Sequence, residues 1–359
     1  MSADRPSGAR GFVNAHTHLY SGLAPLGMPA PAERPANFVE ILARIWWRLD
    51  RALDERSLRA AARLYAAEAL LHGTTTVIDH HESPNWIDGS LDVLADACDE
   101  LGIRALLCFG ATERNGGRNE ARSGLAECRR FARANARLLV RGVVGLHAPF
   151  TVSDETLLEA AELCARLGTV LHVHLAEDRV DVDDAIARRY RGPLQRLQTL
   201  GALPAGSILA HGVHLREDEV RVAERLGCWI VQNPRSNAAN AVGYAASLGV
   251  SDRVALGTDG FVSDMRAEAA ALADDAARHG QPRDVAARRL DAGRQLVAEL
   301  FGAIDDRCEF EADGRVATVL VQGQPVVRGG ALLTADIAEI RQRAAEAAPQ
   351  LWRRMAEIA

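Results

Sequence analysis

The chain of 359 residues contains no lysine, so all 42 of its lysine-plus-arginine positions are arginine. Chemistry that needs a lysine amine is therefore excluded, including Schiff-base formation, attachment of pyridoxal phosphate and phosphate binding by a P-loop or kinase lysine. A pair of metal ions bridged by a carbamylated lysine is excluded for the same reason. A GC-rich coding bias is a sufficient cause for this composition, but the chemical exclusions hold whatever the cause.

Other signals are also missing from the sequence. The cysteines, at positions 98, 108, 128, 164, 228 and 308, form no C-x-x-C pair, so we interpret them as reduced core residues. No run approaches the roughly 20 apolar residues of a membrane-spanning helix, and the first ten residues lack the apolar core of a signal peptide. The net charge of −6 gives no reason to expect nucleic acid or a membrane as a partner. These absences predict a cytoplasmic protein.

Short apolar strands alternate regularly with amphipathic helices along most of the chain. The strand candidates cover residues 11–18, 74–81, 103–110, 141–148, 169–177, 207–214, 228–234 and 253–260. Helical periodicity predicts helices over residues 37–50, 91–101, 154–167, 183–200 and 216–226. Eight such units favour a (β/α)₈ TIM barrel of the α/β class. A doubly wound sheet is less favoured, because no G-x-G-x-x-G phosphate turn occurs.

The pattern changes after Phe301. Short strand candidates within residues 315–327 and a helix over residues 336–359 follow, and this tail is too small for a core of its own. We therefore expect a barrel over residues 11–302. Residues 303–359 are expected to form a small β remnant and a terminal helix that pack on the barrel.

The histidines are concentrated where a barrel would place its chemistry. Nine of the eleven lie at or just beyond the end of a predicted strand, and the carboxyl ends of barrel strands form the usual active face. His16 and His18 are two residues apart and so share a face of the first strand. His172 and His174 repeat this spacing on the fifth strand, although His172 can equally be a hydrogen-bonded core residue. This distribution predicts a metal site.

Simpler explanations exist for each histidine taken alone. A single H-x-H pair is more often incidental than functional, and His80 and His81 can be solvated loop residues. However, His211 ends the sixth predicted strand, Glu177 follows the fifth and Asp259 ends the eighth. Because several separate strands bring imidazoles and carboxylates to one face, a site for Zn²⁺ or Fe²⁺ is the better interpretation.

The motifs at these strand ends resemble the amidohydrolase superfamily. They are AHTHL (15–19), HVHLAE (172–177), ILAHGVHL (208–215), NPRSN (233–237) and LGTDG (256–260). The sequence is most similar to the deaminase and chlorohydrolase branch, and within it to the SsnA-type aminohydrolases over residues 37–53 and 74–97. The resemblance implies a metal-dependent hydrolase barrel accompanied by a β-sandwich. Here we expect only a trimmed C-terminal remnant of that sandwich. The first predicted strand begins at residue 11, which leaves little chain before it for the N-terminal part of a sandwich.

The resemblance also implies a role for each matching residue. The residues that correspond to the ligands of one divalent metal ion, Zn²⁺ in preference to Fe²⁺, are His16, His18, His174 and Asp259. Glu177 corresponds to the proton shuttle, and His211 and Asp259 complete the implied catalytic set. His147 corresponds to a histidine that contacts the substrate ring. The absence of lysine agrees with a single ion, because binuclear members of this superfamily use a carbamylated lysine.

Further candidates for substrate contacts come from the loops. Trp46 and Trp47 are adjacent, and a narrow helical stripe cannot bury both, so we expect one of them, with Trp46 preferred, to stack on a planar ring. Packing of both between helix and barrel is the alternative. His81 is a third candidate contact, beside His147 and Trp46. Three arginines could bind a carboxylate or carbonyl of the substrate, namely Arg34, Arg114 and Arg235.

The predicted function is a mononuclear metal-dependent aminohydrolase. It would use water to release ammonia from a small nitrogen heterocycle such as a purine, pyrimidine, pterin or triazine. Hydrolysis of an acyclic amidine, a formimino group or a cyclic amide at the same site is one alternative. A non-catalytic, metal-binding barrel subunit is another. A homodimer is an open option for the assembly.

Overall fold

The computed structural model describes residues 9–358. Residues 1–8, part of the segment searched for a signal peptide, and Ala359, the last residue of the predicted terminal helix, lie outside this range. The first strand, β1 (Ala9–Arg10), belongs to a small antiparallel sheet, whereas the following strands build a larger parallel sheet.

The parallel sheet forms a barrel of eight strand positions. Its strands are β2 (Phe12–Thr17), β3 (Thr74–His81), β4 (Arg104–Ala111), β5 (Val140–Gly142), β6 (Val144–Leu146), β7 (Leu171–Leu175), β8 (Ile208–His211), β9 (Trp229–Gln232) and β10 (Val254–Leu256). The short strands β5 and β6 share the fourth position, because β5 pairs with β4 alone and β6 pairs with both β4 and β7. A bridge between Thr17 and Asp259 completes the ring. The predicted (β/α)₈ barrel is confirmed.

Helices surround the barrel. They are α1 (Phe38–Ile41), α2 (Trp47–Ala52), α3 (Glu55–Leu71), α4 (Ser90–Leu101), α5 (Arg118–Ala134), α6 (Asp154–Leu167), α7 (Arg179–Ala187), α8 (Pro193–Thr199), α9 (Glu217–Arg225), α10 (Pro234–Ala239), α11 (Met265–Arg278) and α12 (Val285–Phe301). A π-helical turn, Leu42–Trp46, joins α1 to α2. The single helix predicted over residues 183–200 is wrong, because the chain is extended at Gly192 and a new helix begins at Pro193.

The small sheet combines residues from both ends of the described chain. Its order is β1-β11-β12-β13-β14, with β11 (Arg307–Phe310), β12 (Val316–Val321), β13 (Gln324–Arg328) and β14 (Ala331–Leu332). A buried ion pair of 3.0 Å between Arg104 of β4 and Asp306 ties this sheet to the barrel. The small β remnant is therefore present beside the barrel, while the division of the chain at residue 302 stays a prediction.

The terminal helix α13 (Ile337–Glu357) packs against α3 and α2. Two of its side chains donate hydrogen bonds to carbonyl groups near the first βα loop: Trp352 Nε1 to Leu26 at 3.1 Å and Arg354 Nε to Ala52 at 2.8 Å. The helix therefore supports the α1–α2 segment that carries Trp46 and Trp47.

The interior agrees with the interpretation of the cysteines. All six are free and buried. Burial raises the pKa of each of their thiols, which keeps them in the neutral form. Within residues 9–358, no helix combines the length and apolarity needed to span a bilayer.

Candidate metal centre and substrate pocket

Four side chains meet at the carboxyl end of the barrel and form what we call the four-residue cluster: His16, His18, His174 and Asp259. One ligand atom of each lies within 4.8 Å of those of the others. Nε2 of His18 is 2.8 Å, and Nε2 of His16 3.4 Å, from Oδ1 of Asp259. The structure thus brings together residues from β2, β7 and the end of β10 that are up to 243 positions apart in the sequence.

Hydrogen bonds to the backbone orient the imidazoles of this cluster. Nδ1 of His18 donates to the carbonyl of His80 at 2.5 Å, and Nδ1 of His174 donates to the carbonyl of His147 at 2.7 Å. When both imidazoles are neutral, their Nε2 atoms present lone pairs to each other across 3.4 Å. Nε2 of His16 is buried without a hydrogen-bond partner. Lone pairs that converge in this way repel one another unless a cation lies between them.

The charges of the cluster also favour a cation. Burial alone would lower the pKa of His18, but contact with Asp259 outweighs it and raises this pKa to about 9. Burial alone would raise the pKa of Asp259, but the nearby imidazoles of His16 and His18 hold it well below the usual range. Three imidazoles and one carboxylate are a donor set that suits Zn²⁺ or Fe²⁺, so the residues present fit a single divalent ion.

Glu177 and His211 lie directly beside the cluster. Together with Asp259 they form a second group whose ligand atoms are within 4.8 Å of one another. Oε2 of Glu177 is 3.5 Å from Nε2 of His211. Burial and the negative charge of Asp259 raise the pKa of Glu177 well above its usual value, so its carboxyl group readily holds a proton.

One short segment positions these three residues. The side chain of Ser236 donates a hydrogen bond to Oδ2 of Asp259, and Nδ2 of Asn240 donates to Oε1 of Glu177 at 3.4 Å. Nδ1 of His211 is 2.9 Å from Oδ1 of Asn237. These contacts explain the NPRSN motif around α10, to which sequence reasoning attached no role. The motif itself was visible in the sequence, but it contains none of the residue types that usually act in catalysis.

The backbone is strained at the same place. Ala176, His211 and Asp259 adopt the left-handed conformation, with φ of 50°, 76° and 53°. Residues other than glycine adopt the left-handed conformation at a cost of about 1–3 kcal/mol each. All three residues end or follow strands that carry the site. The left-handed turn at each of them directs the adjacent side chains towards the pocket.

A pocket above the cluster is lined largely by aromatic rings. They belong to Tyr20, Phe38, Trp46, Trp47, His147 and Phe150. Both tryptophans line it, which differs from the expectation that only one would. The π-helical turn before Trp47 is the reason, since it widens the helix and rotates the following residue relative to an α-helix. Trp46 also packs against Gly260, where a Cβ would lie 3.0 Å from the indole ring.

The histidines predicted to contact substrate behave differently from each other. His147 lines the pocket, with Nδ1 3.1 Å from Oγ1 of Thr151, and burial lowers its pKa to about 3. His81 does not reach the pocket. Its ring lies against Tyr20 and Phe109, and its Nε2 bonds to Ser83 at 2.9 Å. The interpretation of His80 and His81 as solvated loop residues is wrong, because β3 extends through both and buries them completely.

Glu82 also lines the pocket, and two further charged side chains that sequence reasoning did not connect with it, Arg114 and Asp50, lie behind it. We call Asp50, Arg114 and Glu82 the Glu82 wall. Arg114 bonds to Asp50 at 2.8 Å and approaches Glu82 at 3.4 Å, while its guanidinium stacks 4.7 Å from the centre of the Trp47 ring. Burial raises the pKa of Asp50 to about 7, even though Arg114 opposes the shift.

The arginines predicted to bind a substrate carboxylate are otherwise engaged. Arg114 is held in the Glu82 wall, and Arg235 forms an ion pair with the buried Glu268. Arg34 is exposed in the first βα loop. None of the three lines the pocket among the described residues. That expectation is wrong, because buried carboxylates of the protein itself pair with the two candidates nearest the barrel.

Comparison with known proteins decides the family. The model of the amidohydrolase family matches residues 11–291. The chain belongs to the amidohydrolase family. This confirms the resemblance noted from the motifs, and the matched range contains the four-residue cluster, Glu177, His211 and the Glu82 wall.

Two curated relatives of this amidohydrolase are deaminases by name. The 5-methylthioadenosine/S-adenosylhomocysteine deaminase of Caldanaerobacter subterraneus is 31% identical over 264 residues, which cover 71% of this chain and 57% of that protein. The 8-oxoguanine deaminase of Pseudomonas aeruginosa is 31% identical over 271 residues, which cover 71% of this chain and 60% of that protein. The matched region thus spans less than two thirds of either relative.

Solved structures show the same fold. The crystal structure of an adenosine deaminase from Xanthomonas campestris with bound zinc superposes with a TM-score of 0.80 at 24% identity. The match covers 99% of this chain and 87% of that chain. The similarity therefore includes the small sheet and α13 as well as the barrel.

Proposed function

We propose that this amidohydrolase deaminates a small nitrogen heterocycle with water and releases ammonia. The observation that carries the proposal is the position of Glu177 and His211 beside the four-residue cluster, below a pocket with aromatic walls. Proton-transfer groups next to metal ligands suit hydrolysis, and aromatic walls suit a planar ring. The names of the two deaminase relatives support the same class of reaction.

The four-residue cluster is the proposed metal site. A divalent cation bound there would supply a Lewis acid that lowers the pKa of water towards neutrality. Zn²⁺ is the proposed ion and Fe²⁺ the alternative, since imidazole and carboxylate ligands suit both. The zinc in the adenosine deaminase structure supports Zn²⁺.

Glu177 is the proposed proton shuttle. Asn240 orients its carboxyl group, and the raised pKa lets it hold a proton until the substrate arrives. Transfer of that proton to the ring nitrogen beside the reacting carbon makes this carbon more electrophilic. Asp259 and His211 orient the attacking water, and Asp259 accepts its proton. Asp259 then passes that proton to the amino group, which leaves as ammonia, and the proton of the new hydroxyl group returns to Glu177 as the carbonyl group forms.

The proposal is tested by measuring ammonia release from the zinc-loaded full chain, together with loss of each substrate by chromatography, because hydrolysis of a cyclic amide opens the ring without releasing ammonia. The substrates form a panel of amino-substituted purines, pyrimidines, pterins and triazines, with acyclic amidines, formimino compounds and cyclic amides beside them. We expect ammonia from at least one heterocycle class. Turnover of the amidines or amides with a silent heterocycle panel would contradict the proposal.

Metal analysis of the same preparation tests the non-catalytic alternative. We expect about one zinc or iron per chain after expression in metal-replete medium, as the single cluster implies. Full metal content with a silent panel would favour the non-catalytic, metal-binding barrel, and near-zero metal would contradict the proposed metal site. A homodimeric assembly and a cytoplasmic location stay predictions.

A further inference from the structure

The pocket contains one buried acceptor that the reaction proposed above leaves unused. Five carboxyl groups line the pocket, those of Glu82, Glu177, Asp178, Asp181 and Asp259. Each of them bonds to a neighbouring group of the protein through at least one oxygen. Glu82 is 3% exposed, and its Oε1 is buried without a hydrogen-bond partner. A buried carboxylate oxygen left in this state is strongly destabilising, which points to a missing donor.

The histidines nearest to this oxygen do not supply that donor. Nδ1 of His80 is 3.3 Å from Oε1 of Glu82, but Nε2 of His80 donates to the carbonyl of Leu146 at 3.0 Å. In the neutral imidazole, Nδ1 is then a second acceptor rather than a donor. Nε2 of His147 is 4.0 Å away, beyond hydrogen-bond range. Oε1 thus lies between two imidazoles, on a residue that lines the pocket.

The rest of the Glu82 wall holds this carboxylate in place, and the guanidinium of Arg114 supplies a positive charge beside it. Arg114 engages Oε2, the other oxygen, at 3.4 Å. Gly110 makes room on the far side, because a Cβ there would lie 2.4 Å from Cε1 of His80 and 2.8 Å from Oε1 of Glu82.

The same oxygen lies within reach of a ring bound over the cluster. His80, Glu82 and His174 form a group whose ligand atoms are within 4.8 Å of one another, and His174 also belongs to the four-residue cluster. A heterocycle whose reacting carbon lies at the cluster would therefore place one of its other edges near Glu82. Among the described residues, no arginine lines the pocket to balance these carboxylates, so an anionic substrate is disfavoured.

We propose that Glu82 is a specificity-determining residue whose Oε1 accepts a hydrogen bond from a second N–H group on the substrate. The substrate class is a neutral or cationic amino-heterocycle with a further amino or ring N–H donor on the edge away from the reacting carbon. This inference rests on the proposed function, because it takes the reacting carbon to lie at the cluster.

The test measures ligand binding without turnover. The Glu177→Gln protein, loaded with one equivalent of zinc, is titrated by calorimetry with 2,6-diaminopurine and adenine, and with 2,4-diaminopyrimidine and 4-aminopyrimidine. We expect the diamino compound of at least one pair to bind roughly tenfold or more tightly, as a charged hydrogen bond allows. Adding Glu82→Gln should reduce that preference to below about threefold, because the neutral amide replaces the charged acceptor.

Two further variants distinguish the loss of a specific substrate contact from a general loss of folding. Glu113→Gln removes a neighbouring carboxylate that instead bonds to Ser153 and Thr156, and it should leave the preference unchanged. If Glu82→Gln does not fold, Glu82→Asp keeps the charge but withdraws the oxygen, and it should lose the preference as well. Arg114 retains Asp50 as its partner in both variants.

Several results would overturn the inference. They are a preference that survives in both Glu82 variants, an absence of preference in the parent protein, a failure of both diamino compounds to bind, or a second metal equivalent that Glu82→Gln removes. The last result would mean that a cation occupies the place assigned to the N–H group. Failure of the proposed function is distinct, because it appears as a silent heterocycle panel with wild-type protein.

Discussion

The two sides of the pocket are built in different ways. The four-residue cluster comes from strand ends, where i and i+2 spacing and the barrel itself fix the direction of each side chain. The Glu82 wall joins a helix and two loops, and its partners are 32 to 64 residues apart. Regular geometry thus provides the proposed reactive groups, while individual loop contacts provide the proposed selectivity.

The largest expected effect is on the cluster. His16→Ala should lower metal affinity by more than roughly 100-fold, since even outer partners of metal ligands contribute 10–100-fold. Turnover should fall with the metal. Metal content after dialysis and ammonia release measure the two effects. His279→Ala, which removes an exposed histidine stacked on Tyr244, is the matched control and should keep the metal. Full metal content in His16→Ala would show that His16 is not a metal ligand. The contrast between the four-residue cluster and the Glu82 wall would then fail.

Glu177→Gln separates proton transfer from metal binding on the same side of the pocket. The amide fills the same space but cannot carry the proton, so turnover should fall by roughly 10²–10⁴-fold while zinc is retained. Steady-state ammonia release and metal analysis of one preparation measure both. Wild-type turnover in the zinc-loaded variant would show that another group moves the proton.

Gly110→Ala should disturb the Glu82 wall alone and have the smallest effect. The added methyl group would press against His80 and Glu82, which should lower the free energy of unfolding by about 1–3 kcal/mol. Thermal melting measures the stability, and the titrations described above should show a weakened diamino preference with zinc content unchanged. Gly124→Ala crowds Phe109 and Ala111 instead, so it should lower stability without altering that preference.

Most of the barrel could be predicted because its signals are local. The strand predicted over residues 74–81 coincides with β3, and the helix predicted over residues 154–167 coincides with α6, which Ser153 caps by accepting the N–H of Thr156. The π-helical turn Leu42–Trp46 could not be predicted, because helical periodicity assumes 3.6 residues per turn. The Gly-Pro pair at residues 192–193 is a sequence signal for a break between two helices. The apolar periodicity across it favoured one continuous helix instead.

The candidate site, too, could be predicted from the sequence only in part. Sequence spacing and the family motifs identified the residues that meet in the four-residue cluster, and their role as metal ligands stays a prediction. Spacing gave no indication of Glu82, because its partners Arg114 and Asp50 adjoin it only in the folded chain. His81 was misplaced since alternation along β3 directs it away from the pocket.

The contact between α13 and the α1–α2 segment has a consequence for synthesis of the protein. Trp352 bonds to a carbonyl 326 residues earlier in the chain, and Arg354 to one 302 residues earlier. The tryptophans of the pocket mouth therefore leave the ribosome long before the helix that supports them. A nascent chain can form its parallel strands first, and the α1–α2 segment gains this support only after α13 has emerged.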